Sequence, residues 1–279
     1  MRNKAKATLA SLLAAGLVAG TLAMGAAHAQ STSLPQVTIS MDGSSITVGG
    51  TLQSGAVDVV STVTGEPTGD PILVRLNPGV TANDLYNFLG TRAAQDPNNV
   101  SPYGSIVFAA TVKQGTTHIQ TPLKAADYVA FDGSKGDPSQ WPTTQFTVDP
   151  ASSPATLPAP DAKVKAIDFG FRGARTLHRG SLVRFQNHGF LVHMIIGLRA
   201  RNLADAKKLV RALRHGNQKA ERNLVVGFAD FMDPVSHGAI QQERLRARGG
   251  YWVLACFMNT QDGRLHIKLG MEKLIHIVR

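Results

Sequence analysis

The sequence predicts an all-β protein built from two β-sandwich domains in tandem, each with one short helix inserted. Three observations carry that expectation. Short runs of alternating apolar and polar residues, broken by Gly, Asp-Gly and Pro turns, recur at close spacing along the 279 residues. The order of these runs in residues 36–148 is repeated in residues 162–279. Charge also changes sign: residues 30–160 carry five Lys/Arg against ten Asp/Glu, and residues 161–279 carry 21 against nine. A composition break of that size marks a domain boundary and leaves the second half strongly basic.

The chain divides into four expected segments. Residues 1–29 read as a cleavable signal peptide: Arg2, Lys4 and Lys6 precede an apolar run from Leu9 to Met24, and Ala27-His28-Ala29 supplies the small-x-small cleavage pattern. No later stretch is apolar for long enough to span a membrane, so the protein is expected to be exported, secreted or periplasmic, with no transmembrane segment after cleavage. Residues 30–149 open with Val37, Ile39 and Met41 alternating with polar residues, then Ile46 and Val48 beyond the Asp42-Gly43 turn. Ala56–Val60 and Pro71–Leu76 follow as strands. A helix capped by Thr81 carries Leu85, Phe88 and Leu89 on one face and stops at Gly90. Four further runs extend to Val148. Residues 150–160 hold four prolines and no charge, which reads as an extended spacer with nothing to bury.

Residues 161–279 repeat the plan. Strand-like runs cover Val164–Phe171, Gly180–Phe185 and Val192–Leu198. A helix starts at the N-cap Asn202, carries Leu203, Ala206, Val210 and Leu213 as its apolar stripe, and closes at His215-Gly216, with Lys207, Lys208, Arg211 and Arg214 on the solvated side. A polar insertion precedes the last strands, Gln241–Leu245, Trp252–Phe257 and Leu274–Val278. The halves overlay with Asp70 near His193, Asp132 or Gly133 near Cys256, and Tyr128 on Tyr251.

The densest chemistry lies between Gly250 and Met271. Cys256, the chain's only cysteine, ends a strand, His266 follows ten residues later and Met271 five after that. An exported protein with one cysteine can form no internal disulfide, so the thiol points to an intermolecular bridge, a reactive group or a metal thiolate. Thiolate, imidazole and thioether are soft ligands that suit copper. A Cys-His hydrolase is disfavoured, since no oxyanion motif or orienting acid accompanies the pair. A second histidine is available at the mouth of a strand, where Asn187-His188-Gly189 precedes His193; His188 competes with it. Export argues against nucleic acid as the target of the basic half. An acidic redox partner or an anionic envelope surface is the better match.

Asn-x-Gly followed by His before an apolar strand, together with Gly-x-Trp-x-Leu-x-Cys and His-x4-Met near the C-terminus, resembles the copper-ligand segments of the cupredoxin (plastocyanin/azurin-like) family. The resemblance covers residues 162–279, with a degenerate echo over residues 36–148. It implies an eight-stranded Greek-key sandwich whose ligand loop joins the last two strands. It further implies one copper ion held in the C-terminal domain by His193, Cys256, His266 and Met271, Asn187 bracing the loop near Cys256, and an electron-transfer or copper-handling protein rather than an enzyme. Two features depart from the family: Trp252 stands where Tyr is usual, and nine residues separate Cys256 from His266 instead of two to four. The first domain lacks the ligand set. The competing reading is an extracellular sandwich that works as an interaction module without metal.

Overall fold

Alternating burial sets the first strands: in β1 (Gln36–Met41) Val37, Ile39 and Met41 are buried while Gln36, Thr38 and Ser40 face solvent. That period of two lays one apolar face over a core. The computed structural model describes residues 33–279, and the signal peptide expected over residues 1–29 lies outside them. The first sandwich continues with β2 (Ile46–Gly50), β3 (Gly55–Gly69), β4 (Pro71–Leu76), helix α1 (Ala82–Leu89), β5 (Gly104–Ala109), β6 (Val112–Leu123), β7 (Ala126–Asp132) and β8 (Thr143–Val148). Its sheets run β2-β1-β3-β6 and β5-β4-β7-β8. Thr81 and Asp84 cap α1 reciprocally, and Leu85, Phe88 and Leu89 are buried as expected.

The second sandwich repeats that plan with β9 (Ala162–Ile167), β10 (Gly170–Gly173), β11 (Thr176–His178), β12 (Leu182–Asn187), β13 (His193–Ala200), helices α2 (Leu203–His215) and α3 (Gln218–Leu224), β14 (Val225–Val235), β15 (Ile240–Arg244), β16 (Gly250–Ala255) and β17 (Glu272–Val278). Its sheets run β10-β9-β12-β15 and β14-β13-β16-β17-β11. With β10 and β11 counted as two pieces of one strand, each sandwich is an eight-stranded Greek key. The loop joining its last two strands carries His266 and Met271.

Three details differ from the sequence reading. The polar insertion before Gln241 holds α3 and the eleven-residue β14. The buried stripe of α2 is Ala206, Leu209, Ala212 and Leu213, while Leu203 is exposed. The proline-rich spacer is pinned in place: the carbonyl of Ala155 accepts from Ala56 N–H at 2.8 Å, and that of Pro158 accepts from Arg184 and Gln242.

The repeat overlay also shifts by one residue. The Tyr128 hydroxyl donates to the Lys124 carbonyl four residues back, and the Trp252 indole N–H donates in the same way to Arg248. Each sits opposite an arginine in the neighbouring strand, Tyr128 opposite Arg75 and Trp252 opposite Arg199. Trp252, not Tyr251, is therefore the counterpart of Tyr128. The same register puts Asp132 in the place of Cys256, and Asp70 in the place of Met194 rather than His193.

The sandwiches share more than a tether. β6 and β15 pair edge to edge and antiparallel at Gln120 and Gln242, so two four-stranded sheets become one of eight. Ile106 and Ser236 exchange two hydrogen bonds at 2.9 Å, and the Gln241 side chain donates to the Ala109 carbonyl at 2.7 Å. One buried apolar cluster runs from Val74, Leu85 and Phe131 in the first sandwich to Phe185, Phe231 and Trp252 in the second. No helix among the described residues is long and apolar enough to cross a membrane.

Candidate metal centre

Strand ends deliver the three donor groups. His193 opens β13, Cys256 follows the last residue of β16, and His266 starts a 3-10 turn, His266–Leu269, that closes on Gly270 with φ 100°. All three side chains are fully buried. The Nδ1 atoms of His193 and His266 lie 3.2 Å apart, and Cys256 Sγ lies 3.7 Å from the first and 3.4 Å from the second. Among the described residues this is the group of three whose donor atoms lie close enough together to hold a metal ion. A triangle with those edges has a centre about 2.0 Å from each corner; for scale, zinc sits about 2.0–2.1 Å from imidazole nitrogen and ~2.3 Å from thiolate. The donor set therefore fits a small, soft metal ion without rearrangement.

Met271 is fully buried beside them. Its N–H donates to the His266 carbonyl at 3.1 Å, and its carbonyl accepts from Cys256 N–H at 3.3 Å. His188 is exposed, with its ring outside the donor triangle.

The spacing between Cys256 and His266 has a local explanation. His266 N–H donates to the Met258 carbonyl at 2.8 Å, and Asn259 bridges Leu265. Between them Thr260 bonds Arg264 in both directions through its backbone and hydroxyl, the Gly263 N–H returns to Thr260, and Asp262 holds Thr260 and Arg264. The surplus residues are thus extruded as a closed hairpin. In space, His266 follows Cys256 as closely as a short loop would place it.

One of the two imidazoles is oriented by a carboxylate. Asp168, in the turn between β9 and β10, accepts from His193 Nε2 at 2.9 Å. That bond keeps the proton on Nε2 and turns Nδ1 inward as an acceptor. Phe190 and Leu191 N–H groups also donate to the Asp168 carboxylate, at 3.0 and 3.3 Å. Partial burial alone would raise the Asp168 pKa; those bonds and His193 bring it below its ordinary value. Burial lowers the pKa of His193 against the pull of Asp168. Burial and then the neighbouring His193 push His266 down to about 4. Burial drives the Cys256 thiol up to about 11. At neutral pH, without metal, the site therefore holds two neutral imidazoles and a protonated thiol. His266 Nε2 is buried without a partner, under the edge of Phe169, whose ring is 5.4 Å away.

Three residues that the sequence reading did not single out hold this arrangement. Asp168 is one; a lone acid between Ile167 and Phe169 gives no pattern that announces it. Phe169 is the second, the one non-glycine residue with positive φ (61°) among the described residues. The third comes from the first sandwich. Asn98, in the 3-10 turn Pro97–Val100, accepts from Val192 N–H at 2.8 Å and donates to the Asn259 carbonyl at 3.1 Å. It ties the segment before His193 to the loop after Cys256.

Asn187 has a different task from the one expected. It donates to the Leu191 and Val235 carbonyls at 2.8 Å and accepts from Gly189 N–H at 2.9 Å. It braces the His193 loop, not the Cys256 loop. Gly189 is required for close approach: a Cβ there would stand 2.4 Å from both Asp168 Oδ1 and His193 Nε2.

No protein-family model matches the chain, and no curated relative does. Among solved structures, auracyanin from the photosynthetic bacterium Roseiflexus castenholzii is similar at 13% identity and a TM-score of 0.26, over 42% of this chain and 95% of that one. A copper-containing nitrite reductase from Thermus scotoductus SA-01 is similar at 12% identity and a TM-score of 0.26, over 88% of this chain and 68% of that one. A multicopper oxidase is similar at 10% identity and a TM-score of 0.24, over 87% and 88%. The fold is assigned from strand order: both sandwiches are cupredoxin-like, with the ligand-bearing loop between the last two strands of the second.

Proposed function

We propose that the protein binds one copper ion in its second sandwich through His193, Cys256, His266 and Met271, and carries single electrons outside the cytoplasm. The observation that supports this best is the triangle of His193 Nδ1, His266 Nδ1 and Cys256 Sγ, buried and sized for a metal. Burying two imidazoles and a thiol at one point without a ligand would cost stability and gain nothing, which disfavours a metal-free interaction module. Thiolate and thioether donors favour copper over the harder metals.

Bound copper would supply the one-electron change. The protein's own groups do the rest. The sheet fixes Cys256 at the end of β16, Asp168 holds His193 in one tautomer, and Met271 stands available as a weak fourth ligand. A site held this rigidly changes little between oxidation states, which speeds electron transfer. The Phe169 ring packs against His266, and Phe190, 89% exposed, adds an apolar rim suited to brief contact with a redox partner.

The domain limits at residues 149 and 161, the leader over residues 1–29, and an acidic redox partner or envelope surface belong to this proposal. The test is addition of Cu(II) to the mature protein. One equivalent should produce an intense visible thiolate-to-copper band, absent from Cys256→Ala. A featureless spectrum, or a band that survives Cys256→Ala, would overturn the assignment.

A further inference from the structure

The first sandwich has no donor triangle at its corresponding pole, but it is not solid there. A cavity of about 270 Å³ lies between α1 and the ends of β4, β5 and β7. Phe88, Val100, Ile106, Phe131 and Trp141 are among the residues that line it. Phe131 and Trp141 meet edge to face with centroids 6.1 Å apart. By volume it would hold on the order of nine waters, yet its wall offers water few polar partners. Pockets with walls this apolar take organic ligands.

One side of the wall is different. Asp70, at the start of β4, and Asp233, from β14 of the other sandwich, border the cavity beside Thr111. Asp233 and Thr111 also border a void of about 60 Å³ faced by Asp230 and Glu243. Among the described residues no ion pair engages Asp70, Asp230 or Asp233. Asp70 Oδ1 is buried without a hydrogen-bond partner, and so is Oδ2 of the fully buried neighbour Asp132. The other groups acting on this corner are Thr111, toward Asp70 and Asp233, Lys113, toward Asp230, and Arg246, toward Glu243. Partial burial raises the pKa of Asp70 and Asp233, the latter to about 7 with help from Asp230, which is itself exposed. Unpaired carboxylates beside an aromatic, apolar chamber are complementary to a positive charge carried on an apolar body.

We propose that this cavity binds a small organic cation, an ammonium group on an aromatic or aliphatic body, with the charge set against Asp233 and Asp70 and the body against Trp141, Phe131 and Phe88. Such a ligand would lie between the sandwiches, because Asp233 belongs to the second and the aromatic wall to the first. The proposal is independent of the metal assignment.

The test titrates the full mature chain calorimetrically with 2-phenylethylammonium chloride at pH 7.5, beside neutral 2-phenylethanol and anionic 3-phenylpropionate. The expected result is one saturable site, with the cation ~10-fold or more tighter than either analogue, a difference of about 1.4 kcal/mol. Asp233→Asn should erase that preference while the neutral analogue still binds. Ala94→Phe, which places a ring in the cavity and leaves the acids alone, should abolish binding of all three. Absence of saturable binding at millimolar cation would overturn the proposal, and so would equal affinity for cation and anion. These two outcomes need only the unaltered protein, so the proposal stays falsifiable if a variant does not fold. Asp70→Asn gives a second charge-removing variant. Unchanged cation preference in both carboxylate variants would equally sink it.

Discussion

Cys256 and Asp132 occupy the same place in two copies of one fold. Each follows or ends the seventh strand of its sandwich, four residues past the indole or phenol that bonds the chain at the corner. The backbone N–H groups of Met194 and Met258 stand beside the Cys256 thiol and pull its pKa down against the effect of burial. Asp132 Oδ1 accepts from those of Asp70, at 2.9 Å, and Ser134, at 3.1 Å. The backbone cradle is shared, down to the residue two positions later. What differs is what converges on it. In the second sandwich the residue before Met194 is His193, and the final loop returns His266 and Met271. In the first, the residue before Asp70 is Gly69, no loop returns a donor, and the space is a cavity. The fold supplies the cradle in both copies; only the side chains turn one of them into a ligand site.

The largest expected break in that contrast is removal of the thiolate. Cys256→Ala should lower copper affinity by more than ~100-fold and leave the thermal unfolding temperature within a few degrees, because the sandwich core does not need the metal. The reciprocal change, Asp132→Cys, should leave the first pole colourless with Cu(II), since no histidine faces it. A second visible band would show that the cradle alone suffices.

Next in size is Asp168→Asn. Losing a carboxylate partner of a metal-bound imidazole typically costs 10–100-fold in affinity. Proton-coupled NMR of the metal-free protein should also show His193 no longer held as the Nε2–H tautomer. Unchanged affinity and tautomer would mean that Asp168 only ties the loop.

The pH dependence follows from protonation of the site without metal. With the thiol pushed up to about 11 and the His266 imidazole down to about 4, only Cys256 must release a proton when metal binds near neutrality. Apparent copper affinity should therefore rise about tenfold per pH unit from roughly pH 6 to 9. The histidines act on stability in the opposite limb. In the unfolded chain each protonates near pH 6.5, before it can in the fold, so metal-free stability should be full above that value. It should fall as pH drops from about 6.5 toward 4. Denaturant unfolding at fixed pH values reads this directly.

The smallest effect expected is that of Asn98→Ala. Its two bonds, to Val192 and Asn259, are worth about 1 kcal/mol each. Copper dissociation should quicken by up to roughly tenfold, with the spectrum unchanged. A residue of the metal-free sandwich would then be shown to hold the metal site of the other.

Much of this was readable from residue types. Strand alternation, the caps of α1 and α2, and the soft donors Cys256, His266 and Met271 are local patterns, and local patterns survive in sequence. The gaps arise where contacts are long-range. Asp168 reaches His193 across 25 positions and Asn98 reaches Val192 across 94, so neither has a spacing to notice. The nine residues between Cys256 and His266 look too many because sequence distance counts a hairpin that space does not. The overlay slips by one because matching Tyr128 to the like residue Tyr251 passes over Trp252, which makes the equivalent corner bond, and a one-residue slip reverses which side chains face inward. β14 hides as a polar insertion because in its first half Val226 and Phe228 face solvent and no residue is buried, burial beginning only at Phe231.

The most direct measurement is a crystal structure of the protein loaded with one equivalent of copper, with the metal located by its anomalous scattering. The account predicts a single copper peak inside the triangle of His193, Cys256 and His266, with Met271 sulfur at the fourth position and no peak at Asp132. A copper peak elsewhere on the protein, or an empty triangle in copper-saturated crystals, would contradict it.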